Sequence, residues 1–190
     1  MPEVMLDSVP VPVFRMNSKE LVLRRPRLLT ENSLVIVGSS NGATAETVEA
    51  ARVAGQLGAS VVGITKDAGT EVAAACPNVL THNGVEAKQV LLVLLAASLV
   101  EHLGGDTAPY KSLLESLDRI PAAFVSGLDQ KEDELAEIAR QAHNEPIIYV
   151  LSSGLLGGSA HTFAECYLQE MQWMHAAAIS SGEFLHGAFE

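Results

Sequence analysis

Positive charge is scarce in this chain: 12 Lys and Arg stand against 23 Asp and Glu among 190 residues, a net charge of −11. Nucleic acid and anionic membrane surfaces are held by clustered cations, so neither partner is expected. The one basic run is Arg24, Arg25 and Arg27 in "LRRPR", which reads as a solvated surface turn. Cysteine is nearly absent. Cys76 and Cys166 lie far apart, and no C-x-x-C or Cys/His ligand spacing occurs. A disulfide scaffold and a structural zinc site are thereby disfavoured, and a reduced, cytoplasmic compartment is expected. Long apolar runs are missing too. The longest, Val90 to Val100, falls short of the roughly 20 residues that span a bilayer and reads as a buried core helix. The N-terminus "MPEVMLDSVPVPV" carries acids and prolines where a secretory signal has a basic start and an apolar run.

What is present is an alternation of short apolar runs and helical patterns. "VPVFRM" predicts a short edge strand and "SKELVL" a short helix. Leu34 to Val37 is an uninterrupted apolar run of the kind found in a fully buried parallel strand. Ala45, Val48, Ala51, Ala54 and Leu57 then recur at helical spacing over 44–57, and Gly58 stops the helix. "ASVVGIT" predicts a second strand, "TEVAAAC" a short helix and "PNVLTH" a third strand. This alternation is the signature of βαβ units. The expected fold is a three-layer α/β sandwich around a parallel sheet, with flavodoxin-like or Rossmann-like topology. Further on, helices are expected over 86–103 (closed by Gly104 and Gly105), 109–119 and 132–143. A linker or inter-domain helix is expected around "SGLDQKED", a buried strand in "PIIYVL", and a helix over 159–175.

The strand at 34–37 runs into Ser39-Ser40-Asn41-Gly42-Ala43-Thr44 at the start of a helix. Free backbone N–H groups point outward from such a start, and the helix dipole is positive there. Short hydroxyl and amide side chains add donors, and Gly42 lets the backbone adopt φ > 0. The pattern suits an anion, phosphate above all. It is neither a Walker A loop nor a G-x-G-x-x-G turn, and ordinary N-capping by Ser and Thr remains the alternative at this level.

The segment resembles the Ser-x-Ser-Gly-x-Thr phosphate turn of SIS (sugar isomerase) domains, with Asn41 where that family often has Ser and Ala43 where it often has a polar residue. The resemblance implies that Ser39, Ser40, Asn41, Gly42 and Thr44 bind the phosphate of a phosphosugar. The C-terminal segment "QEMQWMHAAAISSGEFLHG" is similar to the catalytic segment of the second domain in double-SIS enzymes, nearest to the fructosamine-6-phosphate deglycases. By that resemblance Glu170, on an apolar helix, would be the base that moves a proton between sugar C1 and C2. His186, in a Gly-flanked loop, would be the acid. Such a pair works best when burial lifts the carboxylate toward neutrality. "SSGLLGGS" matches the family's turn in the second domain, so Ser152, Ser153 and Gly154 would line the sugar site. Ala188 replaces a common Pro after His186-Gly187.

The resemblance runs from about Val11 to Glu190. It implies a first SIS domain over 1–127, lacking its first strand and turn, and a linker helix with the N-terminal part of an incomplete second domain over 128–190, as in a fragment or shortened gene product. The implied reaction is deglycation of a fructosamine 6-phosphate to glucose 6-phosphate and a free amine, with no metal or organic cofactor. The alternatives are an aldose–ketose or glucosamine-6-phosphate isomerase, or a non-catalytic sugar-phosphate-binding SIS protein. A homodimer or higher homo-oligomer is the implied assembly.

Overall fold

The computed structural model describes residues 5–84 and 87–189. Pro12–Leu95 forms one compact unit, and Met1–Val11 with Ala96–Glu190 forms another. The expected α/β architecture with parallel strands is present in both.

In the first unit, α1 (Ser18–Arg24) is capped by the Asn17 side chain, which accepts from Lys19 N at 2.9 Å. Then follow β1 (Leu34–Gly38), α2 (Ala45–Gln56), β2 (Ser60–Thr65), α3 (Glu71–Ala75) and β3 (Asn78–Thr81). The three strands pair in parallel in the order β1-β2-β3, with Leu34 opposite Ser60 and Val62 opposite Asn78. β2 is central, and its Val61, Gly63, Ile64 and Thr65 are buried. The strand expected to be fully buried, β1, is only partly so: Leu34 is exposed and Val37 alone is buried. It occupies an edge of the described sheet, so neighbours cover it on one side only. The expected edge strand in "VPVFRM" does not form, and residues 11–17 have no regular structure. Pro10 and Pro12 lack the N–H groups a ladder would need.

Two faces of α2 are buried, and its alanines make that possible. Val48, Ala51 and Ala54 join Val37, Ala59, Val61, Val72 and Cys76 in the core over the sheet. Ala50 and Val53 pack with Val22 of α1. Each fully buried Val contributes about 1.5–3 kcal/mol. The helix ends where sequence patterning predicts, at a Gly58 with φ +89°.

α4 (Ala87–His102) begins after residues 85 and 86, so the expected start at Glu86 lies outside the described residues. It buries one stripe, Val93, Ala96, Ala97 and Val100, while Val90 and Leu94 are exposed. It is therefore a half-buried helix rather than the core helix that its composition predicts.

α5 (Ala108–Ser116) is followed by α6 (Ile120–Ala142), which runs unbroken through "SGLDQKED" and contains both sides of the expected boundary at 127. Pro121 sits in its first turn, where a missing N–H costs nothing. Lys131–Glu134 and Glu137–Arg140 pairs support its acidic half. Next come β4 (Ile148–Ser152), a 3₁₀ turn (Gly154–Leu156), α7 (Gly157–Thr162), a π-helical stretch (Phe163–Met171), β5 (Ala176–Ser180), α8 (Ser181–Glu183) and a π-helical turn (Phe184–Ala188).

β4 and β5 pair in parallel from Ile148↔Ala176 to Ser152↔Ser180. The helix expected over 159–175 starts at Gly157 and ends at Met171. Trp173 N donates to Gln169 O at 3.1 Å and Met174 N to Leu168 O at 2.9 Å. This crossed pair closes the helix with Trp173 at φ +57°, a left-handed position usually held by Gly.

Candidate functional site

Ligands of open α/β sheets gather at the carboxyl ends of the strands. At that edge of the first unit, β1 delivers Ser39 to Thr44, β2 delivers Lys66 to Thr70, and β3 delivers His82. Backbone hydrogen bonds continue beyond the strands and tie these segments together. Lys66 N donates to Ser40 O at 3.1 Å and His82 N to Thr65 O at 3.1 Å.

The Ser39–Thr44 corner is built around one buried hydroxyl. Ser39 is 7% exposed, and its Oγ accepts from Gly42 N at 3.1 Å and pairs with Thr44 Oγ1 at 2.9 Å. Thr44 is the N-cap residue of α2, yet it makes no side-chain cap bond to its own helix because Ser39 engages it. Among the described residues no acceptor takes the amides of Ala45 and Glu46, so the positive end of a 12-residue helix faces outward. Asn41, Ala43 and Thr44 are exposed, and Ser40 is half-buried. The corner is therefore open to a ligand and internally braced.

The brace comes from the next helix. Gly42 has φ +64° and is buried, and a Cβ added there would lie 2.3 Å from Thr70 Cβ and Oγ1. Only glycine fits both the backbone angle and the gap. Val72 N donates to Gly42 O at 2.9 Å, and Thr70 Oγ1 caps α3 by accepting from Ala73 N at 3.2 Å. Thr70 and His82 escape sequence reasoning, because nothing in their local patterns sets them apart. His82 Nδ1 bonds Gly84 O at 3.1 Å, and a carbonyl only accepts, so that nitrogen carries a proton. Its Nε2 is buried without a partner among the described residues.

The second set of residues differs from expectation in its surroundings. Glu170 does lie late in a helix, within the π-helical stretch, but it is exposed rather than buried among apolar neighbours. His186 lies at a kink, with non-helical φ −104° and ψ 29° in the sparsely populated bridge region and Gly187 at φ +141°. His186 is exposed as well. Ser152 and Ser180 stand opposite each other at the carboxyl ends of β4 and β5. Ser181 Oγ donates to Ser152 O at 3.0 Å, and Gly154 turns the chain at φ +54°. Ser152, Ser153 and Gly154 thus form the strand-to-helix turn of this second sheet, the counterpart of Ser39 to Thr44 in the first. Among the described residues no group of three His, Cys, Asp or Glu could hold a metal ion, and no helix is long and apolar enough to cross a membrane.

Comparison with known proteins points in one direction. The SIS domain model matches residues 6–103. The chain is 33% identical over 180 residues to fructosamine deglycase FrlB of Bacillus subtilis, an alignment covering 92% of this chain and 55% of that protein. It is 25% identical over 183 residues to fructoselysine 6-phosphate deglycase of Escherichia coli, covering 94% and 53%. The glutamine–fructose-6-phosphate aminotransferase of Pyrococcus horikoshii is 29% identical over 188 residues, covering 93% of this chain and 31% of that protein. A solved structure of a candidate phosphosugar isomerase from Salmonella typhimurium superimposes with a TM-score of 0.90 at 30% identity, covering 99% of this chain and 59% of that one. The chain spans about half the length of the deglycases it matches. On the match over more than half its residues, this chain belongs to the SIS domain family.

Proposed function

We propose that the chain handles a phosphorylated ketosamine, converting a fructosamine 6-phosphate to glucose 6-phosphate and free amine. The observation that carries this reading is the corner at Ser39 to Thr44, where a buried hydroxyl holds an amide and a second hydroxyl at the open N-terminus of α2. A sugar phosphate would take its charge-assisted hydrogen bonds there. The similarity to two deglycases favours a ketosamine over a simple ketose.

In this reading Glu170 is the base that moves a proton from C1 to C2 through an enolamine, leaving an imine at C1; water adds to that carbon, and His186 is the acid that protonates the amine as it departs. Glu170 lies in a π-helical stretch, a local geometry frequent at functional sites, and His186 lies at a kink beside Gly187. Their exposure means that a carboxylate active near neutrality would acquire its environment from bound substrate or from a second copy of the chain. A cytoplasmic homodimer completes the reading. The aldose–ketose isomerase reading shares the same residues and is favoured by the aminotransferase and isomerase relatives.

The test is product analysis after incubating the parent chain with a fructosamine 6-phosphate and, separately, with fructose 6-phosphate. Release of amine and glucose 6-phosphate supports the deglycase, and interconversion of hexose phosphates supports the isomerase. Glu170→Gln should abolish turnover while leaving phosphosugar affinity within about twofold, since affinity rests on the serine–threonine corner. Unchanged turnover removes the base assignment.

A further inference from the structure

We propose that Lys66 supplies the positive charge with which this acidic chain holds a phosphomonoester dianion at the corner between β1 and α2. The inference rests on the phosphosugar reading above and adds a binding residue to it.

The corner offers amides and hydroxyls, which donate hydrogen bonds but bring no net charge. Its rim is otherwise acidic: Glu46 lies in the first turn of α2, Asp67 in the turn after β2, and Glu71 in the first turn of α3, all exposed. A dianion entering a chain of net charge −11 beside three carboxylates needs a local cation. Lys66 is a cation that the fold brings to this edge. Its backbone N–H donates to Ser40 O at 3.1 Å, and the preceding Thr65 Oγ1 donates to the same oxygen at 3.5 Å. The backbone of Lys66 is thereby held beside the turn, and charges interact over roughly 10 Å at 0.1 M salt.

The side chain is also unspent. Lys19, Lys111 and Lys131 each pair with a glutamate, whereas Lys66 is exposed and makes no ion pair among the described residues. A flexible ammonium acts as a point charge on phosphate rather than as a planar fork. The corner therefore selects ligands by charge as well as by hydrogen bonding.

Calorimetric titration tests this with fructose 6-phosphate and fructose against the parent, Lys66→Met, Lys66→Arg and, as a control for net charge, Lys111→Met. The salt series runs from about 0.05 to about 0.5 M. In the parent, the phosphorylated sugar should bind more tightly and lose affinity as salt rises. Lys66→Met should lower that affinity roughly tenfold at low salt, the effect of losing one charge-assisted contact, and should flatten the salt dependence. Lys66→Arg and Lys111→Met should each stay within about twofold of the parent. Because Lys66 is exposed and makes no ion pair among the described residues, the melting temperature of Lys66→Met should match the parent's. If the parent prefers the phosphorylated sugar but Lys66→Met keeps both affinity and salt slope, the charge role falls and the phosphosugar reading stands. If the parent binds the two sugars alike, both fall.

Discussion

Replacing Gly42 by alanine tests the construction of the Ser39–Thr44 corner most directly. Two costs arise from the structure. The first is conformational: an L-residue at φ +64° pays about 1–2 kcal/mol for the left-handed backbone. The second is steric. The new methyl would lie 2.3 Å from Thr70 Cβ and Oγ1 and 2.6 Å from Cγ2, distances that force Thr70 aside. Thr70 Oγ1 accepts from Ala73 N at 3.2 Å as the N-cap of α3, and losing a cap costs about 0.5–2 kcal/mol. Together the substitution should destabilise the first unit by roughly 1.5–4 kcal/mol.

The assay is native-state hydrogen exchange at the amides of the β1–β2 ladder, which the corner joins. Their protection should fall by roughly tenfold to several hundredfold, at 1.4 kcal/mol per factor of ten. Gly38→Ala, where a Cβ meets nothing within 4 Å and φ is not positive, should change protection by less than about threefold. In a Thr70→Gly background the steric part vanishes, so Gly42→Ala should cost only the conformational 1–2 kcal/mol, roughly, and the two changes should couple. Ladder protection in Gly42→Ala equal to that of Gly38→Ala would refute the reasoning.

Ser39→Ala deletes the hydroxyl shared by Gly42 N and Thr44 Oγ1; it should cost about 1–2 kcal/mol of stability by chemical denaturation and weaken fructose 6-phosphate binding in the same titration. Thr44→Val should weaken that binding by about 1.5–3 kcal/mol, and an unchanged Kd would remove Thr44 from the anion site. The two thiols should react in separate phases with a thiol reagent, because Cys166 is exposed and Cys76 is buried in the core; simultaneous reaction in the folded protein would contradict the packing. Burial pushes the Cys76 thiol up. An unfolded thiol ionises near pH 8.5, so stability that is intact below that pH should decline as pH rises above it toward the folded value, and Cys76→Ala should remove this decline.

The first unit is largely legible in its sequence because each element carries a local physical signal. β1 and β2 are short apolar β-branched runs, α2 shows small residues at helical spacing, and Gly42 and Gly58 adopt the positive φ that glycine tolerates. The Ser39–Thr44 corner is legible for the same reason, since strand, hydroxyls, glycine and helix start are contiguous. The second unit is less so. "AAAIS" has strong helix propensity and still forms β5, because pairing with β4 outweighs a preference worth tenths of a kcal/mol per residue. "SGEFLHG" turns helical directly after that strand despite its first glycine, and kinks at His186 and Gly187.

By itself, then, the sequence determined the acidic charge, the alternation of strand and helix and the position of the hydroxyl-rich corner at Ser39 to Thr44, the last two of which depend on residues adjacent in the chain. Only the tertiary structure decided that Thr70 braces Gly42, that Lys66 stands beside Ser40, and that Glu170 and His186 are exposed. Those relations join segments that local chemistry cannot connect. They exist because parallel strands bring the ends of separate βα units to one edge, where backbone hydrogen bonds hold them together.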